Sequence, residues 1–241
     1  MSATALDEIR VVLQRPHGTA NVGGAARAMA NFGLTRLVLV APHEPPIHPD
    51  ALSWASGASH VLERAATVPT LEEALAETVL AVATTARPRH LQARGDIREL
   101  APRIVAATRS GPVAVVFGPE RIGLSNDELA LCQECAVIPA APAHTSLNLA
   151  GAVLVVAHEL FRAASSEPVG ERLEYTSHDE RCRLVARSLE ILDLIGYMQL
   201  GKSRTARDTV QRLVLKGRLE RRDARNLLAI LRHIEWLVRG E

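Results

Sequence analysis

The sequence predicts an α/β domain on a mainly parallel sheet, followed by a small α-helical C-terminal module. Three observations predict it. Short aliphatic runs recur between residues 9 and 138, each bounded by Gly, Pro or polar residues; the stretches between them have helical spacing; and the composition changes after Ala164. Continuous apolar character, in place of an in-out alternation, is what strands covered on both faces require. Alternation of such runs with helices is the pattern of a parallel α/β sheet.

The first strand is Ile9 to Gln14 (IRVVLQ), and Val22 to Phe32 follows as a helix rich in Ala and Gly. Leu37 to Val40 (LVLV) is the next strand, Leu71 to Glu77 a helix, and Val79 to Ala83 (VLAVA) the third strand. The helical spacing of Ile97 to Thr108 leads into Val113 to Phe117 (VAVVF); Ser125 or Asn126 with Asp127 and Glu128 then makes a helix start. Cys135 to Ile138 is the last strand, and Leu147 to Ala164 reads as a buried helix. Residues 1–164 form this domain. The segment SSEPVGERLEYTS, residues 165–177, has no apolar periodicity and is expected to be a linker. In residues 178–241, His178 to Leu194, Thr205 to Leu215 and Asp223 to Arg239 are amphipathic helices, with Tyr197 and Trp236 expected in their core.

Composition narrows the function classes. A chain of 241 residues with 47% hydrophobic content can bury a sizeable core. Its longest apolar runs, such as Ala150 to Ala157, are too short for a bilayer, and MSATALDEIR lacks a basic-then-apolar signal. A cytoplasmic protein with no membrane partner is expected. Three cysteines make no disulfide framework, and the lone Cys132-x-x-Cys135 has no second pair at ligand spacing, so no metal is expected. The net charge of +1 divides unevenly: residues 1–164 hold 13 Arg against 15 acids, and residues 165–241 hold 15 Lys and Arg against 12. Within 200–239 there are 11 basic residues to 4 acidic, nine of them Arg. A solvated helix face is one reading of this charge; contact with the phosphates of a nucleic acid is the other.

Three polar clusters stand at strand ends, where open α/β sheets bind ligands. Arg15 to Leu34 (RPHGTANVGGAARAMANFGL) leads from a strand into the first helix, with Asn21 as its expected cap and Gly23 and Gly24 allowing close backbone approach. It offers NVGG where a dinucleotide site would have GxGxxG, and no acid closes the second strand (LVLVAP), which disfavours a nucleotide-dependent oxidoreductase. Arg27, among Ala and Met, either reaches an acidic partner or awaits an anionic ligand. Phe117 to Leu129 (FGPERIGLSNDEL) places Glu120 at a loop tip, where an ion pair with an Arg is the ordinary structural expectation. His144 to Leu160 (HTSLNLAGAVLVVAHEL) puts Ser146 and Asn148 in the mouth of an apolar helix; Thr145 or Ser146 can cap it, which leaves Asn148 without that explanation.

The spacing N-x-G-x-x-A-R-A, F-G-x-E-x-x-G-L and S-L-N-L-A-x-A-V, in this order across residues 9–160, resembles the three motifs of the SPOUT methyltransferase superfamily in its TrmH-like ribose 2′-O-methyltransferase branch. The C-terminal GRLERRDARNLLAILRHIEW is similar to the tail of the TrmJ group, which methylates ribose at position 32 of the tRNA anticodon loop. The resemblance implies a SPOUT α/β trefoil-knot domain, S-adenosyl-L-methionine in the knot, tRNA as partner, and a homodimer whose sites draw on both chains. It implies cofactor contacts at Gly118, Ile138 and Leu147, largely through backbone, with Thr84 as a further candidate, and ribose and phosphate chemistry at Asn21, Arg27, Glu120, Ser146 and Asn148.

Methyl transfer to a ribose hydroxyl is an in-line displacement that needs the hydroxyl held against the methyl and its proton removed. The family proposal makes Arg27 the base, yet a guanidinium stays protonated in nearly every protein. Arg27 is better suited to hold a phosphate and stabilise the developing alkoxide, with Ser146 and Asn148 as a ribose clamp. Pro119 stands where some relatives carry Arg. His17, His90 and His144 are expected as surface histidines; Thr84, Thr85 and Arg87 (ATTARPR) end the third strand much as TrmJ-like sequences do, which implies them as additional RNA contacts. The competing functions are a ribose methyltransferase acting on rRNA and a non-catalytic RNA-binding dimer.

Overall fold

The computed structural model describes residues 5–86, 94–165, 174–199, 203–217 and 219–240. The chain divides into two compact units, Met1–Arg172 and Leu173–Glu241. Most of the expected linker, residues 166–173, lies outside the described residues.

The first unit is a seven-stranded sheet in which every recorded pairing is parallel. Its strands are β1 (Ile9–Gln14), β2 (Arg36–Val40), β3 (Ala66–Val68), β4 (Leu80–Thr84), β5 (Arg94–Asp96), β6 (Val113–Phe117) and β7 (Glu134–Val137), in the order β3-β2-β1-β6-β4-β7-β5. The five aliphatic runs of the sequence form five of these strands. On one face Val12, Val38, Val40, Ala81, Ala83, Ala114 and Val116 pack with Leu71, Leu75, Leu124 and Leu129. The alternate residues Val11, Leu13, Leu37, Leu39, Val82, Val115 and Phe117 point to the other face and are buried as well. A sheet buried on both sides is the physical reason for unbroken apolar runs.

The helices of this unit are α1 (Thr19–Asn31), α2 (Pro49–Ala55), α3 (Ser59–Glu63), α4 (Leu71–Leu75), α5 (Ile97–Ala107), α6 (Asn126–Ala130) and α7 (Leu149–Ser165). The small residues of α1 are explained by packing. A Cβ on Gly23 would lie 2.2 Å from the Ala51 carbonyl oxygen of α2, and one on Gly24 would lie 2.9 Å from the Ala150 Cβ of α7. Gly23 and Gly24 thus let the neighbouring helices α2 and α7 approach closely, as expected of them.

The second unit holds α8 (His178–Leu194), α9 (Ser203–Leu215) and α10 (Arg221–Arg239) around Leu184, Val185, Ile191, Val214, Leu215, Ala224 and Leu231. Ser177 and Glu180 close a capping box on α8, and Gly240, at φ +72°, ends α10. Arg181 is buried, donates from Nη1 to the Thr176 carbonyl at 2.7 Å, and is pushed down to about 10 by burial. Tyr197 and Trp236, expected in this core, are 39% and 55% exposed instead. Aliphatic side chains on α8, α9 and α10 fill the space that the aromatics were expected to occupy.

Candidate active site

Strands β6, β4 and β7 are adjacent and parallel, so the loops leaving their carboxyl ends emerge side by side. A cavity of about 250 Å³ opens there, lined by Thr84 and Thr85 after β4, by the loop from Gly118 to Leu124 after β6, and by Ile138, Thr145, Ser146 and Leu147 between β7 and α7. Its size approaches that of ligand pockets, which begin at ~300 Å³. All four expected cofactor-contact residues, Thr84, Gly118, Ile138 and Leu147, line it.

Backbone geometry makes the β6 loop. The Gly123 N–H donates to the Pro119 carbonyl at 2.8 Å, folding the loop so tightly that a Cβ on Gly118 would stand 2.4 Å from the Leu124 nitrogen. Gly123 turns the chain at φ +66°. The Thr84 hydroxyl donates to the Val116 carbonyl at 3.0 Å and ties β4 to β6 under the cavity. Behind the loop, Glu128 locks the start of α6. Its carboxylate accepts from the Ser125 N–H at 2.7 Å and from Gln14 Nε2 at 2.7 Å, and it pairs with Arg15 at 2.7 Å. Burial pushes the Glu128 carboxyl up, but the Ser125 N–H, Gln14 and Arg15 outweigh it and hold the group below its usual value. This brace between the ends of β1 and β6 was legible in the sequence only as a helix start; its Gln14 and Arg15 partners are more than 100 residues away.

Beside the cavity, three of the predicted residues form a chain of side-chain bonds. Asn148 Nδ2 donates to Asn21 Oδ1 at 2.8 Å, and Asn21 Nδ2 donates to Glu120 Oε1 at 2.7 Å. Glu120 Oε2 accepts the His17 N–H at 3.1 Å. The expected Glu120–Arg pair is thus replaced by Asn21 and a backbone amide. Asn21 is not the cap of α1: that position is Gly18, and Asn21 lies within the first turn. The cap of α7 is also reassigned. Asn148 Oδ1 accepts the Ala150 and Gly151 N–H groups at 3.0 and 3.4 Å, while Ser146 is exposed and lines the cavity. Asn148 was left over only because capping had been assigned two residues too early; one side chain both caps the helix and fixes Asn21.

Arg27 stands apart. It is exposed on α1, and no carboxylate among the described residues pairs with it. Six residues beyond Asn21, at 100° per residue, it lies on another face of the helix. Arg121 lines the cavity, two residues after Pro119. His17 stacks on His43 with ring centroids 4.0 Å apart, and His144 is exposed on its loop. Arg87 and His90 lie outside the described residues. Cys132 and Cys135 are buried in the apolar layer under β4, and burial raises the Cys132 thiol strongly.

A family model described as the SpoU rRNA Methylase family matches residues 8–158. The chain is 39% identical to the tRNA (cytidine/uridine/adenosine-2′-O-)-methyltransferase TrmJ of Pseudomonas aeruginosa, over 98% of this chain and 96% of that protein. Its fold is similar to the crystal structure of TrmJ from Z. mobilis ZM4, with a TM-score of 0.80 and 33% identity, covering 94% of this chain and 98% of the other. An rRNA methyltransferase from Sinorhizobium meliloti, crystallised with AdoMet bound, is similar at a TM-score of 0.52 and 26% identity, covering 64% of this chain and 56% of its own.

Proposed function

The chain belongs to the SpoU methylase family, and from that membership we propose that it transfers a methyl group from S-adenosylmethionine to the ribose 2′-hydroxyl of a cytidine or uridine in tRNA, at position 32 of the anticodon loop. The observation that carries the reading is the cavity at the carboxyl ends of β4, β6 and β7, with the Asn148–Asn21–Glu120 chain beside it.

The cavity residues fit S-adenosylmethionine. Ile138, Leu147, Leu149 and Ala152 offer apolar surface to an adenine, the hydroxyls of Thr84, Thr85 and Thr145 and the backbone of the Gly118 loop offer polar groups, and Glu120 offers a negative charge toward a sulfonium. When bound, the cofactor supplies an electrophilic methyl group. The protein supplies position and charge. Ser146 orients the ribose at the cavity mouth; Asn148 holds Asn21, and Asn21 with the His17 amide fixes the Glu120 carboxylate. Arg27 takes the flanking phosphate and stabilises negative charge on the 2′-oxygen while its proton passes to water and the methyl leaves the sulfur for that oxygen.

Arg27 does not line the cavity of its own chain, and a homodimer accounts for that. On α7, Leu154 and Phe161 are 41% and 44% exposed and seven residues apart, so they share one stripe. Burying that stripe against a second copy joins two such domains and gives Arg27 of one protomer a route to the site of its partner. A tRNA substrate places the reaction in the cytoplasm, and the basic tail, residues 178–241, serves as the tRNA-binding module.

The test is nucleoside mass spectrometry of unmodified tRNA after incubation with the protein and S-adenosylmethionine, with Arg27→Ala alongside. A 2′-O-methylated pyrimidine mapping to position 32 and lost in the variant supports the reading. Product on rRNA alone moves the substrate to rRNA, and absence of cofactor binding leaves a non-catalytic RNA-binding dimer.

A further inference from the structure

Within the tail unit, one helix face has no contact assigned to it by the reading above. Positions 225, 229, 232 and 236 of α10 recur at spacings of four, three and four and so share one face of the helix. They are Arg225, Ala229, Arg232 and Trp236, and all four are exposed. The apolar core of the unit takes a different face, through Ala224, Leu227, Leu228, Leu231 and Ile234.

Neither Arg225 nor Arg232 meets a carboxylate among the described residues. The acids of α10 are taken elsewhere: Glu235 pairs with Arg187 and Arg239, and Asp223 with Arg222. A helix face built only for solvation mixes the two signs at i, i+4 spacing; this one carries guanidinium groups without acids. The indole of Trp236 is 55% exposed, and the His233 ring stacks beside it, with centroids 5.6 Å apart and planes 19° from parallel. An exposed flat aromatic next to unpaired arginines complements a chain that offers phosphates and unpaired bases. Arg forks onto phosphate oxygens, and every base has a face to stack.

We propose that the Arg225–Arg232–Trp236 face of α10 contacts the RNA, with Trp236 stacking on an unpaired base and the two arginines holding flanking phosphates; the inference rests on the tRNA reading above. The stripe beside it, Asn226, Ile230, His233 and Leu237, is partly apolar, with Ile230 and Leu237 56% and 62% exposed. A second copy of the chain is therefore the competing occupant.

The experiment uses the full chain with Trp54→Phe, which leaves Trp236 as its sole indole because the sequence has two Trp. Unmodified tRNA is titrated at several salt concentrations while fluorescence and methyl transfer are followed on the same samples. The face predicts quenching of Trp236 by tRNA. Arg225→Gln with Arg232→Gln should reduce the slope of log K against log salt by about 1.4 to 1.8, two phosphate contacts' worth. In the parent background Trp236→Ala should weaken binding about 5- to 150-fold at an unchanged slope, and Trp236→Phe should restore most of it. If tRNA is methylated while Trp236 stays unquenched or the double variant keeps its slope, the face is wrong and the tRNA reading stands. If the protein neither binds nor methylates tRNA, both fall. A fluorescence change that follows protein concentration without tRNA overturns the proposal in favour of a second copy.

Discussion

Arg27 and Asn148 carry similar weight in the sequence motifs, yet they sit in different physical situations. Arg27 is exposed and makes no ion pair among the described residues, so replacing it disturbs no recorded contact. Arg27→Ala should fold with unchanged stability and bind S-adenosylmethionine as before, while methyl transfer falls about 100- to 1000-fold, the loss typical of removing one charge-stabilising donor; methyl incorporation beside calorimetric cofactor binding checks both halves. Asn148→Ala should instead cost stability, about 1 kcal/mol for the lost cap of α7, seen as a lower urea midpoint, together with reduced activity as Asn21 loses its donor. An Asn148→Asp variant keeps the capping oxygen but not the donated bond, and recovery of stability without activity would separate the two roles. Motif spacing made these residues legible as a group. Their partners were not legible, because Asn21 meets Asn148 across 127 positions and Glu120 across 99, and spacing along the chain says nothing about which carboxamide faces which.

Elements were readable in proportion to the apolar surface they bury. The five aliphatic runs became strands, and α8 spans His178–Leu194 as its amphipathic spacing predicts. The edge strands β3 (ATV) and β5 (RGD) are three residues long, too short to carry a period, and RGD is polar besides; α2 and α3 span seven and five residues, too few for a clear period. One element-scale device makes a pH prediction. Glu128 ties the start of α6 to β1 with its carboxyl held below the usual 4.5, so its contribution is complete above that value and is lost as pH falls through the lowered folded value. Glu128→Gln should therefore narrow the difference in melting temperature between pH 6 and pH 3, as followed by scanning calorimetry; an unchanged difference would assign the acid sensitivity to other carboxylates. The outward stripe of α7 makes another. Leu154→Glu places a charge in the proposed protomer contact at no cost to the core, since Leu154 is 41% exposed. Sedimentation should show a dimer for the parent and a monomer for the variant, with cofactor binding weakened less than methyl transfer if Arg27 acts across the interface.

At the scale of the whole molecule, charge and apolar surface are divided between the two units. Every described residue that lines the cavity, Thr84 to Ala152, belongs to the first unit, whose sequence is slightly acidic; the second supplies the excess of arginine. Such a division fits the proposed roles, chemistry in the first unit and electrostatic capture of tRNA by the second. The first unit holds its own seven-stranded core, and among the described residues every cavity-lining side chain is its own, so a protein ending at Ser165 should retain cofactor binding. It should bind tRNA more weakly, and its affinity should fall less steeply with salt, because each phosphate contact removed takes about 0.7 to 0.9 from the slope of log K against log salt. With aromatic residues at 3% of the sequence, only a few positions could stack on a base, and in the proposed tRNA complex phosphate contacts should dominate. Methyl transfer by the shortened protein should accordingly show a raised KM for tRNA at low salt, with a smaller change in kcat. Equal salt slopes for the two proteins would mean that the first unit alone carries the phosphate contacts, Arg27 and Arg121 among them, and that the excess charge of the tail is a solvated face.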